Sequence, residues 1–283
     1  MKKMKKIFLK TMLSIVILLT SCQSDDQYES LNRDPKNPSQ VSADFLFNSA
    51  TKSLSDQMTQ INVNDNSFRF FAQYSTTTTY TEEPNFDLVT RTIPGNHWSE
   101  MYRDVLLDLK ISQEFAMENA TLSSSEQTAR VSQAEILIIY TYQQMVDTWG
   151  DIPYSEALGE ATLPKYDDAA TIYSDLITRL TAAIPGLSGS GYSSADRLYG
   201  GDSTAWVKFA NSLMVRLGNR LVDVNPSLAK LTIEAGYSGG IFTSNADNAT
   251  VNYEGTTPNT NPVWVDLVQS GRSDHLPANT IVN

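Results

Sequence analysis

The stretch QMVDTWGDIPYSEAL, Gln144–Leu158, closes a long run in which apolar residues return at helical spacing. Ala134, Leu137/Ile138, Thr141/Tyr142, Met145 and Trp149 fall on one stripe, as on a helix packed along one face. Gly150 stops the helix, and Asp151-Ile152-Pro153 makes the exit turn. Upstream, Ser123 and Glu126 have the spacing of a capping box, so the same helix has a defined start. A long helix with clear punctuation at both ends sets the reading of the rest of the chain.

Working outward, the same pattern recurs on both sides. Trp98, Met101, Tyr102, Val105 and Leu109 predict a helix from Trp98 to about Asn119. Ser42 or Asp44 opens an earlier one with Phe47, Ala50, Leu54 and Met58 on its stripe, and a second short helix is expected from Ser67 to about Thr76. Downstream, Asp168 or Thr171 opens a helix carrying Ile172, Leu176, Leu180 and Ile184, ended by Pro185-Gly186. Ser203 is expected to cap another, with Trp206, Phe209/Ala210, Leu213, Leu217 and Leu221, and a short helix follows near Ser227–Ala235. The fold class is therefore mainly α, with helix pairs stacked as in tetratricopeptide-type solenoids and loops inserted between them. The W-x₂-L-G-x₂-Y signature of that repeat is absent, so pairing alone supports the comparison. Two segments break the pattern: the Thr-rich STTTTYTEEPNFDLVTRTIPGN, residues 75–96, and the Gly/Asn-rich stretch after Ala235, where TVNY reads as a short strand.

The N-terminus has a different texture. Lys2, Lys3, Lys5, Lys6 and Lys10 precede an apolar core from about Met12 to Leu19, the form of a secretory signal. That core is shorter than the roughly 20 residues a membrane span needs. Leu19-Thr20-Ser21-Cys22 matches the bacterial lipobox, so residues 1–21 are expected to be removed and Cys22, the only cysteine, to carry lipid. The alternative is an ordinary signal with an incidental cysteine. Acyl chains contribute about 0.8 kcal/mol per buried CH₂, enough in combination to hold a domain at a bilayer. Residues 22–40, rich in polar and turn residues, then form a tether, and 41–283 the helical domain.

Charge narrows the partners. Removing five lysines and no acids with the signal takes the net charge from −11 to −16, which disfavours nucleic acid and anionic headgroups. The membrane is then reached through the lipid alone. With no further cysteine there is neither a disulfide framework nor a thiolate zinc site. Two separated histidines, His97 and His275, read as surface or loop residues and leave little material for a catalytic triad or a His-rich metal site. No phosphate loop, dinucleotide fingerprint or EF-hand appears, so no cofactor or metal is expected. Asp147, Asp151 and Glu156 cluster in the opening stretch; two carboxylates can run a glycosidase, whereas the same residues also suit a structural turn. Aromatics outside the stripes, Tyr74, Tyr80 and Phe86, with Trp98 at the edge of one, flank the Thr-rich loop beside Asn, Asp and Thr. Sugar rings stack their C–H faces on such aromatics, so these four are candidate ligand residues; for Trp98, core packing competes.

Several stretches in this order resemble the SusD/RagB family of outer-membrane lipoproteins, in its SusD-like branch. They are NRDPKNPSQV, WSEMYRDVLLDLKIS, QMVDTWGDIPYSEAL, YDDAATIYSDLITRLTAAI and DRLYGGDSTAWVKFANSLMVRLGNRL, spread over nearly all of the mature chain. The resemblance implies a tetratricopeptide-like fold without catalysis. It also implies a position on the outer face of the outer membrane, where the protein captures glycans, or peptides in some branches, for a SusC-like TonB-dependent transporter. Ser24, Asp25 and Asp26 look like the acidic signal that sends such lipoproteins to the cell surface. Family members run considerably longer, which implies that this chain is the N-terminal part of the fold, truncated at its C-terminus. The readings that compete with capture are a helical protein–protein scaffold and an exported glycosidase.

Overall fold

The computed structural model describes residues 41–282. The signal segment, the tether, and with them Cys22, Ser24, Asp25 and Asp26, lie outside the described residues. What is described is mainly helical. Helix α1 (Ala43–Thr59) starts at Ser42, whose hydroxyl accepts from the Phe45 N–H at 3.2 Å, and buries Phe47, Ala50 and Leu54. The four-residue helix α2 (Phe68–Phe71) follows. Helix α3 (Ile93–Glu100) runs through a π-helical turn, Met101–Leu106, into α4 (Leu107–Glu118), burying Met101, Val105 and Leu109 while Trp98 and Tyr102 stay half-buried at its edge. Helix α5 (Ser124–Trp149) carries the expected capping box, closed by Ser123 and Glu126, and ends at Gly150 with φ +77°. Asp168 caps α6 (Ala169–Ala183), Asp202 caps α7 (Ser203–Arg220), and Asn225 caps α8 (Pro226–Ser238).

Neighbouring helices pack in succession: α1 on α4, α4 on α5, α5 on α6, and α7 on α8. At the centre, Phe47 stacks on Tyr192 with ring centroids 3.9 Å apart and planes 9° from parallel, and Trp206 lies tilted against Phe47 at 6.3 Å. All three side chains are fully buried. Such aromatic pairs add about 0.5–1.5 kcal/mol beyond the area they bury. The Trp206 indole N–H donates to Asp196 at 2.7 Å, and the same carboxylate accepts from the backbone N–H groups of Leu198, Tyr199 and Gly201. This buried acid thereby holds the DRLYGG turn. Gly201 has φ +87°, and a Cβ there would meet the Ser193 Cα at 2.9 Å, so the turn requires glycine.

Two small ladders pin the loops. Strand β1 (Ser75–Thr77) pairs antiparallel with β4 (His275–Pro277), and β2 (Ile152–Pro153) with β3 (Tyr166–Asp167). Several expectations are corrected here. The helix expected over Ser67–Thr76 stops at Phe71, because Gln73 adopts φ +55° and the chain turns into β1. The helix expected from Trp98 begins at Ile93, with Pro94 in its first turn. Asp202, not Ser203, caps α7, accepting from the N–H groups of Thr204 and Ala205. TVNY is irregular backbone, and the strand of this region is His275–Pro277. Among the described residues no helix is long and apolar enough to cross a membrane.

Candidate functional site

The segment between α1 and α3 is held by its own amides. Asn62 accepts from the Asn64 N–H at 2.9 Å, and Asn66 donates to the Gln57 carbonyl at 2.8 Å while accepting from the Phe68 N–H at 3.1 Å. Gln57 and Asn96 donate to the carbonyls of Asp65 and Asn64. These bonds fix α2 beside the end of α5. Between them lies a cavity of about 400 Å³, lined by Asp65, Asn66, Ser67, Phe68, Phe71, Leu88, Ile93, Pro94, His97, Asp147, Thr148 and Trp149. That size suits a small ligand or one or two sugar rings.

Its walls are aromatic and continuous. Phe86 stacks on Phe71 at 6.0 Å, Phe71 meets Phe68 edge-on at 6.4 Å, Phe68 meets His97 edge-on at 5.4 Å, and His97 lies 5.3 Å from Trp149. Trp149 in turn meets Trp98 at 5.1 Å, and Trp98 contacts Tyr102 and Tyr166. Phe86 is 55% exposed and holds φ +61°, a conformation that costs a bulky residue of order 1–3 kcal/mol. His97 is only 4% exposed, which corrects its reading as a surface or loop residue. Burial drives its pKa down to about 4, so the ring is neutral at ordinary pH. Burial, and then the nearby Asp266, raise the Asp65 carboxyl above its usual range. His275 sits half-buried in β4, its ring stacked on Phe70 at 6.0 Å, and is likewise no free loop residue.

Of the four aromatics singled out in the sequence, Phe86 joins the cavity through Phe71 and Trp98 through Trp149. Tyr74 and Tyr80 do not line it. Tyr74 is exposed, its carbonyl accepting from Ala278 beside the β1–β4 ladder. Tyr80 has the guanidinium groups of Arg91 and Arg272 at 4.5 and 5.5 Å from its ring centre. Sequence reasoning missed Phe68, Phe71, His97 and Trp149 as wall residues; the FRFF run directly after a polar turn was the available signal.

The three acids of the opening stretch are engaged as structural acceptors. Asp147 accepts from the Tyr173 hydroxyl at 2.5 Å and from Arg220 at 3.2 Å, which answers its unfavourable place at a helix C-terminus. Asp151 accepts from the Ala169 N–H at 2.9 Å in the first turn of α6, and Glu156 from the Lys165 N–H at 3.2 Å. Next to them Tyr102 donates to the Pro153 carbonyl, and Tyr154, Asp175, Arg179 and Glu135 form one hydrogen-bonded chain. Among the described residues no group of His, Cys, Asp and Glu is placed to hold a metal ion.

Residues 35–283 match the SusD-like family model described as "Starch-binding associating with outer membrane". The chain belongs to the SusD-like family. Solved structures with the same fold include a SusD/RagB family protein from Bacteroides thetaiotaomicron, 23% identical with a TM-score of 0.69 over 84% of this chain and 50% of that one. A SusD homolog from Bacteroides uniformis is 25% identical, with a TM-score of 0.66 over 84% and 51%. A chitin-binding SusD homolog from Flavobacterium johnsoniae is 21% identical, with a TM-score of 0.61 over 83% and 50%. This SusD-like chain thus spans about half the length of these solved relatives. No curated protein matches it.

Proposed function

We propose that this SusD-like chain is a non-catalytic, cell-surface glycan-binding lipoprotein. It captures oligosaccharide in the cavity between α2, α3 and the end of α5, and passes it to a SusC-like TonB-dependent transporter. The observation that carries the reading is the aromatic wall Phe86–Phe71–Phe68–His97–Trp149 around a cavity lined by Asp65, Asn66 and Asp147. Rings of this kind take the apolar faces of pyranoses, and the Asp65 carboxyl is placed to take their hydroxyls. The family description names starch binding at the outer membrane, and one relative is titled chitin-binding, which supports a glycan as cargo. Under this reading residues 1–21 are cleaved, Cys22 carries the lipid, and Ser24, Asp25 and Asp26 direct the protein to the outer face. Phe86 and Trp98 extend the wall, and Tyr74 and Tyr80 form a second, outlying contact near β1.

Affinity electrophoresis against a glycan panel tests the binding step. Retardation by at least one glycan, lost in Trp149→Ala, is expected; migration unaffected by every glycan, with a peptide retained instead, replaces the cargo by peptide. Co-purification with a large outer-membrane barrel after gentle solubilisation tests the partner, and recovery alone contradicts it. Mass spectrometry of the mature N-terminus tests Cys22, whose acyl mass disappears in Cys22→Ser.

A further inference from the structure

Helix α1 has a side that the core does not use. Phe47, Ala50 and Leu54 are buried, whereas Phe45, Asn48 and Lys52, at i, i+3 and i+7, share the opposite side, and the Phe45 ring is 63% exposed. Pro258-Asn259 passes over this side, held by the Glu254 N–H donating to the Asn259 carbonyl at 2.8 Å. Arg197 reaches it from the DRLYGG turn, its Nε donating to the Asn48 side-chain oxygen at 3.1 Å. Together these residues enclose a separate cavity of about 250 Å³, on the scale of a single sugar ring. Phe45, Arg197 and Pro258 are exposed, and Asn48, Lys52 and Asn259 half-buried, so all six can be reached from solvent.

We infer that this cavity is a second saccharide site, which takes one uncharged pyranose of the cargo; the inference rests on the glycan-capture reading above for the kind of cargo. Phe45 and Pro258 offer apolar faces to the C–H side of a sugar ring. Around them stand polar groups with capacity left over. With its oxygen taken by Arg197, Asn48 keeps its NH₂ to donate; Lys52, with one N–H on Asp56, keeps two; the Asn259 amide offers a donor and an acceptor. A sugar hydroxyl both donates and accepts, so it can use each of them. Charge selects against an acidic sugar, because each cation here already faces an acid: Lys52 is paired with Asp56, and Arg197 lies 3.7 Å from Glu254. The neighbouring Asp44 is held by Arg130 at 2.7 Å. The site is distinct from the aromatic cavity. Phe45 and Gln57, whose amide bonds to the Asp65 carbonyl at the wall of that cavity, are about 18 Å apart along the axis of α1.

The test is an NMR titration of the ¹⁵N-labelled mature chain, following the side-chain amides of Asn48 and Asn259 and the indole N–H of Trp149. Maltotriose, cellotriose and mannotriose are the neutral probes, and trigalacturonate is the acidic one. At least one neutral probe is expected to shift the Asn48 and Asn259 amides saturably, in the unmodified chain and in Trp149→Ala alike. Phe45→Ala is expected to weaken that binding about fivefold or more. No shift of these amides with any neutral probe, a shift with trigalacturonate alone, or an affinity unchanged in Phe45→Ala overturns the inference. The Trp149 indole reports separately on the capture reading: if it stays still with every probe while Asn48 and Asn259 shift, the aromatic cavity loses its role and the second site stands. If it shifts while the two amides do not, the reverse holds. Should Phe45→Ala fail to fold, Asn259→Ala takes its place with the same expected loss and the same overturning result.

Discussion

The turn Trp149–Leu158 and the segment 62–97 meet at Trp149, and both are rich in acids, amides and aromatics. They differ in how their polar groups are used. In the turn and the helices α5 and α6 beside it, Asp147, Asp151, Glu156 and the Tyr154–Arg179–Glu135 chain are bonded within the protein. Across the cavity, His97 Nε2 is buried without a partner, Phe86 holds a strained backbone, and Phe68 and Phe86 remain exposed. A polar group already satisfied internally has little left to offer a ligand, whereas exposed rings keep a face for one.

The sharpest break of this comparison comes from pH. His97 titrates near 6.5 when unfolded and near 4 when folded, so between these values the unfolded state binds the extra proton. Its contribution is fully present above pH 6.5 and is lost as pH falls toward 4, a change of about 3 kcal/mol. Glu100 acts in the opposite sense: burial, and then the neighbouring Asp104, raise its carboxyl to about 7, so it favours the folded state as pH falls from 7 toward 4.5. The two contributions offset each other in the unmodified chain, so denaturant melts from pH 7 to 4 are expected to show His97→Phe gaining stability relative to it as pH falls below 6.5. Parallel curves for the two would contradict a buried neutral histidine.

A second effect lies in the ion pair that braces the turn from α5 and α6. Glu135→Gln weakens the ion pair to Arg179 (2.6 Å) and should cost about 2 kcal/mol of stability with glycan retardation intact. Loss of retardation in a folded Glu135→Gln protein would extend the binding site into the turn. On the cavity side the sign reverses. Phe68→Ala, at a side chain 41% exposed, should cost less than about 1 kcal/mol in a melt yet weaken glycan binding several-fold. The smallest effect is expected for Phe86→Gly, which relieves φ +61° and should raise stability by about 0.5 kcal/mol while lowering affinity. A folded state stabilised without any loss of binding would remove Phe86 from the site.

The helices were legible because their cores repeat at 3.6 residues. Phe47, Met101, Leu137, Ile172 and Leu213 are buried where their stripes predict, and the capping box at Ser123–Glu126 closes as its spacing predicts. Legibility fails where structure depends on distant partners. The β1–β4 ladder joins Ser75 to Pro277, and three-residue strands are too short to show an alternation of their own. His97 misled for the same reason: its burial depends on Gln57, Phe68 and Trp149, which no local pattern connects to it. The aromatic candidates were half legible, since exposure without periodicity found Phe86, whereas it also selected Tyr80, whose ring two arginines already engage.

One paired experiment tests most directly the claim that the cavity, and not the acidic turn, is the glycan site. Phe71→Ala and Asp151→Asn are compared with the unmodified mature chain by affinity electrophoresis on the glycan that retards it, with sugar release assayed in parallel. The account predicts that Phe71→Ala abolishes retardation, Asp151→Asn retains it, and no sugar is released by any of the three. Retardation that persists in Phe71→Ala, together with sugar release that disappears in Asp151→Asn, would contradict it.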